Sequence, residues 1–300
     1  MEITEHTTDI AIITYGNYQG LGRTIDSVLS QTKTIGTVML SDDGSGKPFP
    51  KEALRRLQGG SFRLILRQRE KNLGTVRHIN VVAAEMTGFY LKIMASGDAF
   101  VDGQALGALV DCAEREKSVV VTSDCMVCSA DLKTNYYRFP GPRRGRCFRL
   151  DGSDLFASLA KANVVSAAGT LFRRDFFTER GGLDEDYCLL DDWPAWLRLA
   201  REGDRIPYLP QVTVLYAMGG VSSANSNAYR ATELRADMRF CYEKEILPYM
   251  NSFPLSVRRA VEYHYALLTE AEERKLWRTY PLLSAKDAMK RWIKRRMVRR

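Results

Sequence analysis

Residues 10–45 read IAIITYGNYQGLGRTIDSVLSQTKTIGTVMLSDDGS. The opening run, IAIIT, is short and β-branched and ends before Gly16, which is typical of a buried strand. Residues 24–31 carry apolar side chains at positions 25, 28 and 29, the spacing of one face of a helix. Residues 37–40 are again strand-like and stop at Asp42-Asp43-Gly44-Ser45. This stretch therefore predicts a strand, a helix and a second strand in close succession.

The same alternation continues along the chain. Further helices are predicted at residues 54–57, 76–86, 105–116 and 191–201. Further strands are predicted at residues 63–66, 89–94, 119–122, 168–172 and 212–216. Alternating strands and helices favour an α/β fold with a mostly parallel, doubly wound sheet and helices on both faces. Residues 134–165 break the pattern and predict an irregular segment with a turn-rich, basic loop.

The composition changes near residue 225. Beyond Gly219-Gly220-Val221-Ser222-Ser223 the pattern is helical to the end, with Pro248, Pro254 and Pro281 as breaks. We therefore expect an α/β domain at residues 1–225 and a C-terminal helical extension at 226–300.

Polar side chains follow three of the predicted strands. They are Thr14-Tyr15, Asp42-Asp43 and Ser96-Gly97-Asp98. In open α/β sheets, ligands bind at the carboxyl ends of the strands. The sequence therefore predicts that these three clusters converge on one crevice.

The net charge of +8 is concentrated at one end of the chain. Residues 286–300 contain eight basic residues and one acidic residue, so they carry +7 and the other residues about +1. A nucleic-acid-binding protein would carry a basic face on its folded body, so we predict no nucleic-acid partner. No stretch approaches the roughly 20 apolar residues of a membrane-spanning helix. The segment MEITEHTTD lacks the pattern of a signal peptide, which predicts a cytoplasmic protein.

The six cysteines are expected to be small buried residues rather than disulfide partners in such a chain. Cys125 and Cys128 form a C-x-x-C pair, but no second pair or nearby His completes four zinc ligands. Packing at a strand end and a metal or redox role are the two interpretations of this pair.

Short motifs occur in a characteristic order along the chain. They are Ile12-Ile13-Thr14-Tyr15, Ser41-Asp42-Asp43-Gly44-Ser45, Asn72-Leu73-Gly74-Thr75, Asn80, Ser96-Gly97-Asp98, Gly181-Gly182-Leu183-Asp184-Glu185, Leu190-Asp191-Asp192-Trp193 and Gly219-Gly220-Val221-Ser222. Each is weak alone, but their order and spacing resemble glycosyltransferase family 2, whose members have the GT-A fold. The resemblance covers about residues 8–225. It implies a GT-A domain that transfers a sugar from a nucleotide-sugar donor.

The resemblance places the donor nucleoside at the ends of the first two strands. Tyr15 would stack on a uracil-like base with Thr14 beside it, which makes a UDP-sugar the expected donor. Asp43 would hydrogen-bond the base edge, and Asp42 would shape the strand end. Without the motif context, a strand-terminal tyrosine is half-buried packing and Asp-Asp-Gly-Ser is an ordinary turn.

The resemblance also implies a positive charge that faces the donor phosphates. The Arg-Asn pair common in the family's central helix is Ile79-Asn80 here. Arg77 is the candidate for this charge, with His78 as the neighbouring choice.

Two carboxylates would carry the chemistry. Asp98 matches the metal-binding carboxylate of the family's D-x-D motif, and hard cations such as Mg²⁺ or Mn²⁺ prefer oxygen ligands. Asp192 matches the family's catalytic base, which takes the proton of the acceptor hydroxyl. Family members generally invert the anomeric carbon in one displacement. Asp191-Asp192 also has a simpler interpretation as an acidic pair at a helix N-terminus.

Three departures from the family pattern weaken the predicted metal site. Ser96 and Ala99 stand where carboxylates are usual, and Gly219-Gly220 lies where many members carry a His. A non-catalytic nucleotide-sugar-binding relative with a degraded metal site is therefore an alternative. A nucleotidyltransferase is a second alternative, but it would carry a glycine-rich phosphate loop after the first strand.

The C-terminal tail predicts contact with a membrane surface. From residue 284, the apolar side chains Ala285, Met289, Trp292, Ile293 and Met297 share one helical face, and basic residues fill the rest. Such a helix suits the headgroup region of an anionic membrane. A peripheral enzyme at the inner face of the cell membrane would meet a saccharide or lipid-linked saccharide acceptor, as in surface polysaccharide synthesis. A solvated terminal helix and a dimer contact are the alternatives.

Overall fold

The computed structural model describes residues 7–16, 18–219, 228–269 and 273–298. Its strands are β1 (Thr8–Thr14), β2 (Ile35–Asp42), β3 (Arg63–Gln68), β4 (Tyr90–Ala95), β5 (Ala99–Phe100), β6 (Val120–Cys128), β7 (Asn135–Phe139), β8 (Leu171–Arg173) and β9 (Tyr208–Ala217). Its α-helices are α1 (Leu21–Leu29), α2 (Lys51–Gln58), α3 (Thr75–Glu85), α4 (Ala105–Glu116), α5 (Gly141–Arg144), α6 (Gly152–Lys161), α7 (Asp175–Thr178), α8 (Trp193–Arg201), α9 (Ala228–Cys241), α10 (Leu255–Thr269), α11 (Glu273–Thr279) and α12 (Pro281–Val298). Short 3-10 helices cover Gly145–Arg149 and Leu247–Ser252, and a π-helical turn covers Tyr242–Ile246.

The described strands form one sheet in the order β3-β2-β1-β4-β8-β6-β9-β5, with β7 also paired to β6. Strands β3, β2, β1 and β4 are parallel neighbours, and β9 is parallel to β6. Strands β5, β7 and β8 run antiparallel to their neighbours. The sheet is therefore mainly parallel, and the carboxyl ends of β1, β2 and β4 lie along one edge.

Alternate side chains of β1 pack on opposite faces of the sheet. Ile10 and Ile12 join the core that contains residues of helices α1, α2 and α4. Ala11 packs in a second core with Val82 and Ala83 of α3. A strand buried on both faces is a continuous apolar run, which explains the sequence IAIIT. The predicted fold, a mainly parallel sheet with helices on both faces, is confirmed.

The elements predicted from the pattern are present, most of them with bounds that differ by a few residues. The strand predicted at residues 119–122 continues to Cys128. Helix α8 begins at Trp193 rather than at residue 191, because Asp192 is its N-cap.

Residues 134–165 are more regular than predicted. This segment contains strand β7, which pairs with β6, and helix α6, whose Leu155, Phe156 and Leu159 are buried. Gly and Pro at residues 140–145 interrupt the apolar pattern and obscure the helix that follows them. The prediction of an irregular segment was therefore wrong for most of its length.

The C-terminal helices share a hydrophobic core with the α/β domain. Cys241, Ile246 and Val261 belong to the same buried cluster as Leu159 of α6 and Trp196 of α8. The predicted boundary near residue 225 and the motif residues 220–223 lie outside the described residues, so the division into 1–225 and 226–300 stays a prediction. In the part of the chain that the structure describes, no helix has the length and apolar character needed to cross a membrane.

Candidate active site

The three polar clusters meet at one edge of the sheet. Thr14 is the register partner of Asp42 on the neighbouring strand, and Ile13 is the partner of Ala95. Two backbone bonds continue the ladders past the strand ends, from Asp43 N to Thr14 O (2.9 Å) and from Ser96 N to Ile13 O (2.8 Å). The ends of β1, β2 and β4 therefore present their polar residues together, and we call this edge the donor edge.

Asp42 organises the turn at the end of β2. Its carboxylate accepts hydrogen bonds from Ser45 N (2.7 Å) and Ser45 Oγ (2.5 Å), and Ser45 Oγ accepts one from Gly16 N (2.8 Å). Gly44 has a positive φ, and a Cβ there would lie 2.6 Å from Asn72 N, so only glycine fits. Tyr15, which precedes Gly16 at this turn, is 43% exposed, and its stacking on a base stays a prediction.

Asp43 connects the donor edge to the next motif along the chain. Its two carboxylate oxygens accept hydrogen bonds from Leu73 N (3.0 Å) and Gly74 N (3.2 Å). The side chain is buried, and this burial raises its pKa, while the two backbone donors oppose the shift. The structure therefore shows Asp43 holding the Asn72-Leu73-Gly74 loop, and its contact with a donor base stays a prediction.

Asp98 is buried in the loop that follows β4. Its Oδ1 accepts a hydrogen bond from Ala217 N (2.8 Å), and Thr24 Oγ1 donates to its backbone carbonyl (2.7 Å). Burial raises the pKa of Asp98 to about 7, while the backbone bond from Ala217 and the charge of the buried Lys92 oppose that shift. Helix α1 and strand β9 thus fix this loop from two sides.

The protein supplies few metal ligands at the donor edge. In the described ranges, no three His, Cys, Asp or Glu side chains are grouped so that they could hold a metal ion. Ser96 Oγ, two residues from Asp98, is buried without a hydrogen-bond partner among those residues. Mg²⁺ commonly keeps several waters and binds through one or two carboxylates and the substrate phosphates. Asp98 and Ser96 fit such a cation, held mainly by the donor.

Helix α3 carries both candidates for the positive charge that faces the donor phosphates, and only one of them is charged near pH 7. Arg77 is exposed, and its Nε lies 3.3 Å from Glu185 Oε2. His78 is buried, and its Nε2 lies 2.7 Å from Ser41 Oγ. Burial, with a smaller effect of Arg69, lowers the pKa of His78 to about 4, so this ring is neutral near pH 7. The interpretation of His78 as a phosphate-facing charge was therefore wrong, and Arg77 stays the candidate.

Asn80 joins helix α3 to the Gly181–Glu185 motif. Its side-chain amide donates to Leu183 O (2.8 Å) and accepts from Leu183 N (3.0 Å), so it satisfies both backbone polar groups of Leu183. Arg198 of α8 donates to Gly182 O (2.6 Å) in the same loop. Motif residues that are far apart in sequence thus form one tertiary unit.

Asp192 is both a helix cap and half of a carboxylate pair. Its Oδ1 accepts a hydrogen bond from Trp193 N (2.6 Å), and its Oδ2 accepts one from Asn163 Nδ2 (2.8 Å). Burial raises the pKa of Asp191 to about 7, and the adjacent Asp192 adds to the shift. Burial also raises the pKa of Asp192, and the bond from Asn163 opposes it. Both carboxyl groups therefore hold a proton more readily than an exposed Asp does.

Two residues of this site were not predicted to act in it. Asp191 was visible in the Asp-Asp pair, but its raised pKa beside the partly buried Asp192 follows from the tertiary fold. Asn163 follows helix α6 and reaches Asp192 from 29 positions away. No local sequence pattern marks such a contact. We call residues 183–192 the base loop, after the predicted base Asp192 at its end.

A polar cavity of about 360 Å³ lies between α3, α8 and the base loop. Its lining residues are Asn80, Gly181, Leu183, Asp184, Glu185, Pro194, Ala195, Arg198 and Glu245. None of the predicted site carboxylates Asp43, Asp98 and Asp192 lines it. A single cleft lined by all three carboxylates, which the roles implied by the family resemblance would require, stays a prediction.

Comparison with known proteins gives a family match in the α/β domain. The family model described as glycosyl transferase family 2 matches residues 9–181, more than half of the chain. The uncharacterized glycosyltransferase YwdF of Bacillus subtilis (strain 168) is 26% identical over 224 residues, which cover 74% of this chain and 79% of YwdF.

Solved structures share the fold at low sequence identity. Residues 1–349 of TarS from S. aureus, in complex with UDP-GlcNAc, superpose with a TM-score of 0.55 at 11% identity, covering 90% of this chain and 82% of that one. The mannosyltransferase PcManGT from Pyrobaculum calidifontis, in complex with GDP-Man and Mn²⁺, gives 0.59 at 16% identity, covering 97% and 84%. With the family match over residues 9–181, this chain is a glycosyltransferase and belongs to glycosyl transferase family 2.

Proposed function

We propose that this glycosyltransferase transfers a sugar from a UDP-sugar to an acceptor hydroxyl with inversion, using Asp192 as the general base. The observation that carries the proposal is the Asp191-Asp192 pair at the start of α8. Burial raises the pKa of both carboxyl groups toward the working range of a base, and Asn163 and Trp193 N hold the side chain of Asp192 in place.

The transfer is a single displacement. The acceptor oxygen attacks the anomeric carbon while its proton passes to the carboxylate of Asp192. The bond between that carbon and the diphosphate oxygen breaks, and its electron pair leaves with the nucleoside diphosphate. Attack opposite the leaving group inverts the anomeric centre.

The donor edge would bind the nucleoside diphosphate. Tyr15 offers an exposed ring for stacking, Thr14 and Asp42 shape the strand ends, and Asp43 lies beside them at the end of β2. Arg77 is the proposed contact to the phosphates and would exchange its ion pair with Glu185 for them. The nucleotide-sugars bound by TarS and PcManGT, UDP-GlcNAc and GDP-Man, support a donor of this class.

A divalent cation completes the proposed site. When bound, Mg²⁺ or Mn²⁺ neutralises the charge that develops on the leaving diphosphate. Asp98, with Ser96, would hold it, and the Mn²⁺ in the PcManGT complex supports this choice. Because the protein offers few ligands, we expect the metal to bind tightly only together with the donor.

The tail at residues 286–300 would attach the enzyme to an anionic membrane, where lipid-linked saccharides of surface polysaccharide synthesis are available as acceptors. Helix α12 supports this, since Met289 and Trp292 are 58% and 56% exposed beside the exposed Lys286 and Lys290. Deleting 286–300 should move the protein from the membrane pellet to the supernatant. An unchanged distribution would contradict the membrane role.

A donor panel tests the proposed function. UDP- and GDP-sugars are incubated with the full chain, with Mg²⁺, Mn²⁺ or EDTA, and both thermal shift and release of nucleoside diphosphate are measured. A UDP-sugar at a hundredfold excess over its Kd should stabilise the fold by about 2.7 kcal/mol. Nucleotide release should need the metal. No stabilisation and no release with any donor would overturn the proposal.

A further inference from the structure

A carboxylate of the C-terminal helices reaches the base loop. Asp237 of α9 uses one oxygen, Oδ2, to accept hydrogen bonds from the backbone N–H groups of Cys188 (3.0 Å), Leu189 (2.6 Å) and Leu190 (2.9 Å). Only 8% of Asp237 is exposed. Successive N–H groups that point at one place form an anion-binding concavity. Here the anion is a side chain of the protein itself.

The segment 188–190 also contacts the start of helix α3, next to the loop that Asp43 holds. Cys188 O accepts a hydrogen bond from Val76 N (3.2 Å). A Cβ on Gly74 would lie 3.0 Å from the backbone oxygen of Cys188, so the two backbones approach closely. Gly74 N in turn donates to Asp43. The segment 188–190 is therefore held between α9 and the loop that Asp43 fixes.

We propose that Asp237 is a positioning residue that sets where Asp191 and Asp192 lie relative to the donor. The inference rests on the proposed function, since it concerns the same base. Downstream, Asp192 is anchored by Trp193 N and Asn163. Upstream, the anchor is Asp237, whose bond to Leu190 N holds the backbone one residue before the carboxylate pair. A carboxylate fixed on both sides keeps its distance to the acceptor hydroxyl.

The charge of Asp237 is what makes this anchor strong. Hydrogen bonds to an ionised acceptor are shorter and about twice as strong as neutral ones. Without the carboxylate, three neighbouring amides would lose their common partner, and the loop would be free to rearrange. The contact uses only backbone groups of residues 188–190, so the amino-acid types at these positions do not reveal it. Asp237 also lies outside the matched range 9–181, in the predicted extension.

Two substitutions and a matched control test this role. Asp237→Ala removes the acceptor, whereas Asp237→Asn keeps an oxygen and loses the charge. Asp9→Ala is the control, because Asp9 is 1% exposed and its Oδ2 likewise accepts hydrogen bonds from two successive backbone N–H groups, those of Thr87 (3.0 Å) and Gly88 (2.7 Å), near the start of β1. All variants are assayed well below their melting temperatures with the best UDP-sugar of the donor panel. The readouts are kcat and donor KM for nucleotide release, and amide hydrogen exchange of a peptide that covers 188–190.

Asp237→Ala should lower kcat about a hundredfold, the cost of misplacing a catalytic group by about 1 Å. Asp237→Asn should fall between it and the wild type, with donor KM within about threefold for both. Exchange at 188–190 should accelerate, and Asp9→Ala should change neither kcat nor this exchange. Unchanged kcat in Asp237→Ala, or an equal loss in Asp9→Ala, would overturn the positioning role. A wild-type protein without turnover would instead overturn the proposed function, which is measured first.

Discussion

The donor edge and the base loop are held together in different ways. At the donor edge, strand ends are fixed by parallel backbone ladders, and Asp42 bonds Ser45 only three positions away. The base loop has no strand to support it. Its backbone is held by side chains from elsewhere, with Asn80 reaching across 103 positions and Asp237 across about 48.

This difference separates what each region can do. A ladder of backbone bonds gives a rigid platform on which a nucleotide can bind. A loop held by side chains from distant segments can place a carboxylate accurately, but it loses that placement when one partner is removed. We therefore expect substitutions at the donor edge to act on affinity, and substitutions at the base loop to act on turnover.

Removing the base should produce the largest effect. Asp192→Ala should reduce kcat about a thousandfold, because general base catalysis contributes about 10² to 10⁴ in rate. Donor affinity should stay within about threefold, since Asp192 does not belong to the donor edge. The measurements are kcat for nucleotide release and the thermal shift with the donor.

The helix cap that Asp192 provides needs a separate control. Loss of an N-cap costs about 1 kcal/mol of stability, which could lower activity indirectly. Asp192→Asn keeps an oxygen for Trp193 N but cannot accept the acceptor proton, so it should be as slow as Asp192→Ala and more stable. Full turnover in Asp192→Asn would show that another group is the base.

The sheet could be predicted from the sequence because its signals are local. Ile10, Ala11 and Ile12 are buried in cores on both faces of the sheet, and a strand in that position is rich in apolar residues. The same local logic failed at residues 134–165. Helix α6 has only part of its surface buried, and the glycines and prolines before it interrupt the pattern.

The donor edge was also predictable, whereas the supports of the base loop were not. Polar residues that end parallel strands meet at one edge for geometric reasons, so Thr14, Asp42 and Asp98 could be grouped in advance. Asn163 and Asp237 act on Asp192 and on the backbone before it from distant segments. Their role depends on how the helices pack. The sequence of a helix does not indicate which of its polar residues will be buried against another segment.

A substitution at the donor edge should have an intermediate effect. Tyr15→Ala should weaken binding of the UDP-sugar about tenfold, because stacking of an aromatic side chain on a base contributes about 1–3 kcal/mol. kcat at saturating donor should change less than threefold, since the base loop is untouched. Donor affinity is measured by calorimetry with UDP alone and with the UDP-sugar.

Tyr15→Phe is the matched control for the stacking role. It keeps the ring and should retain affinity for UDP within about twofold. If the wild type and Tyr15→Ala bind UDP with equal affinity, the nucleoside does not bind at this end of β1. A large loss of kcat in Tyr15→Ala at saturating donor would contradict the division between the two regions.

The smallest expected effect is a change in pH dependence that belongs to the base loop alone. Burial and the mutual repulsion of Asp191 and Asp192 raise the pKa of the pair, with Asp191 at about 7. The proposed base is active when deprotonated, so kcat of the wild type should fall as the pH decreases, and the fall should begin at a higher pH than the ordinary pKa of an Asp would give. Asp191→Asn removes the neighbouring negative charge, which lowers the pKa of Asp192 and should move this fall to lower pH. Asp186→Asn is the control, because Asp186 lies in the same loop but is exposed and paired with Lys244. If both variants keep the wild-type profile, the carboxylate pair does not limit turnover; if both shift it equally, the effect comes from net charge rather than from the repulsion within the pair.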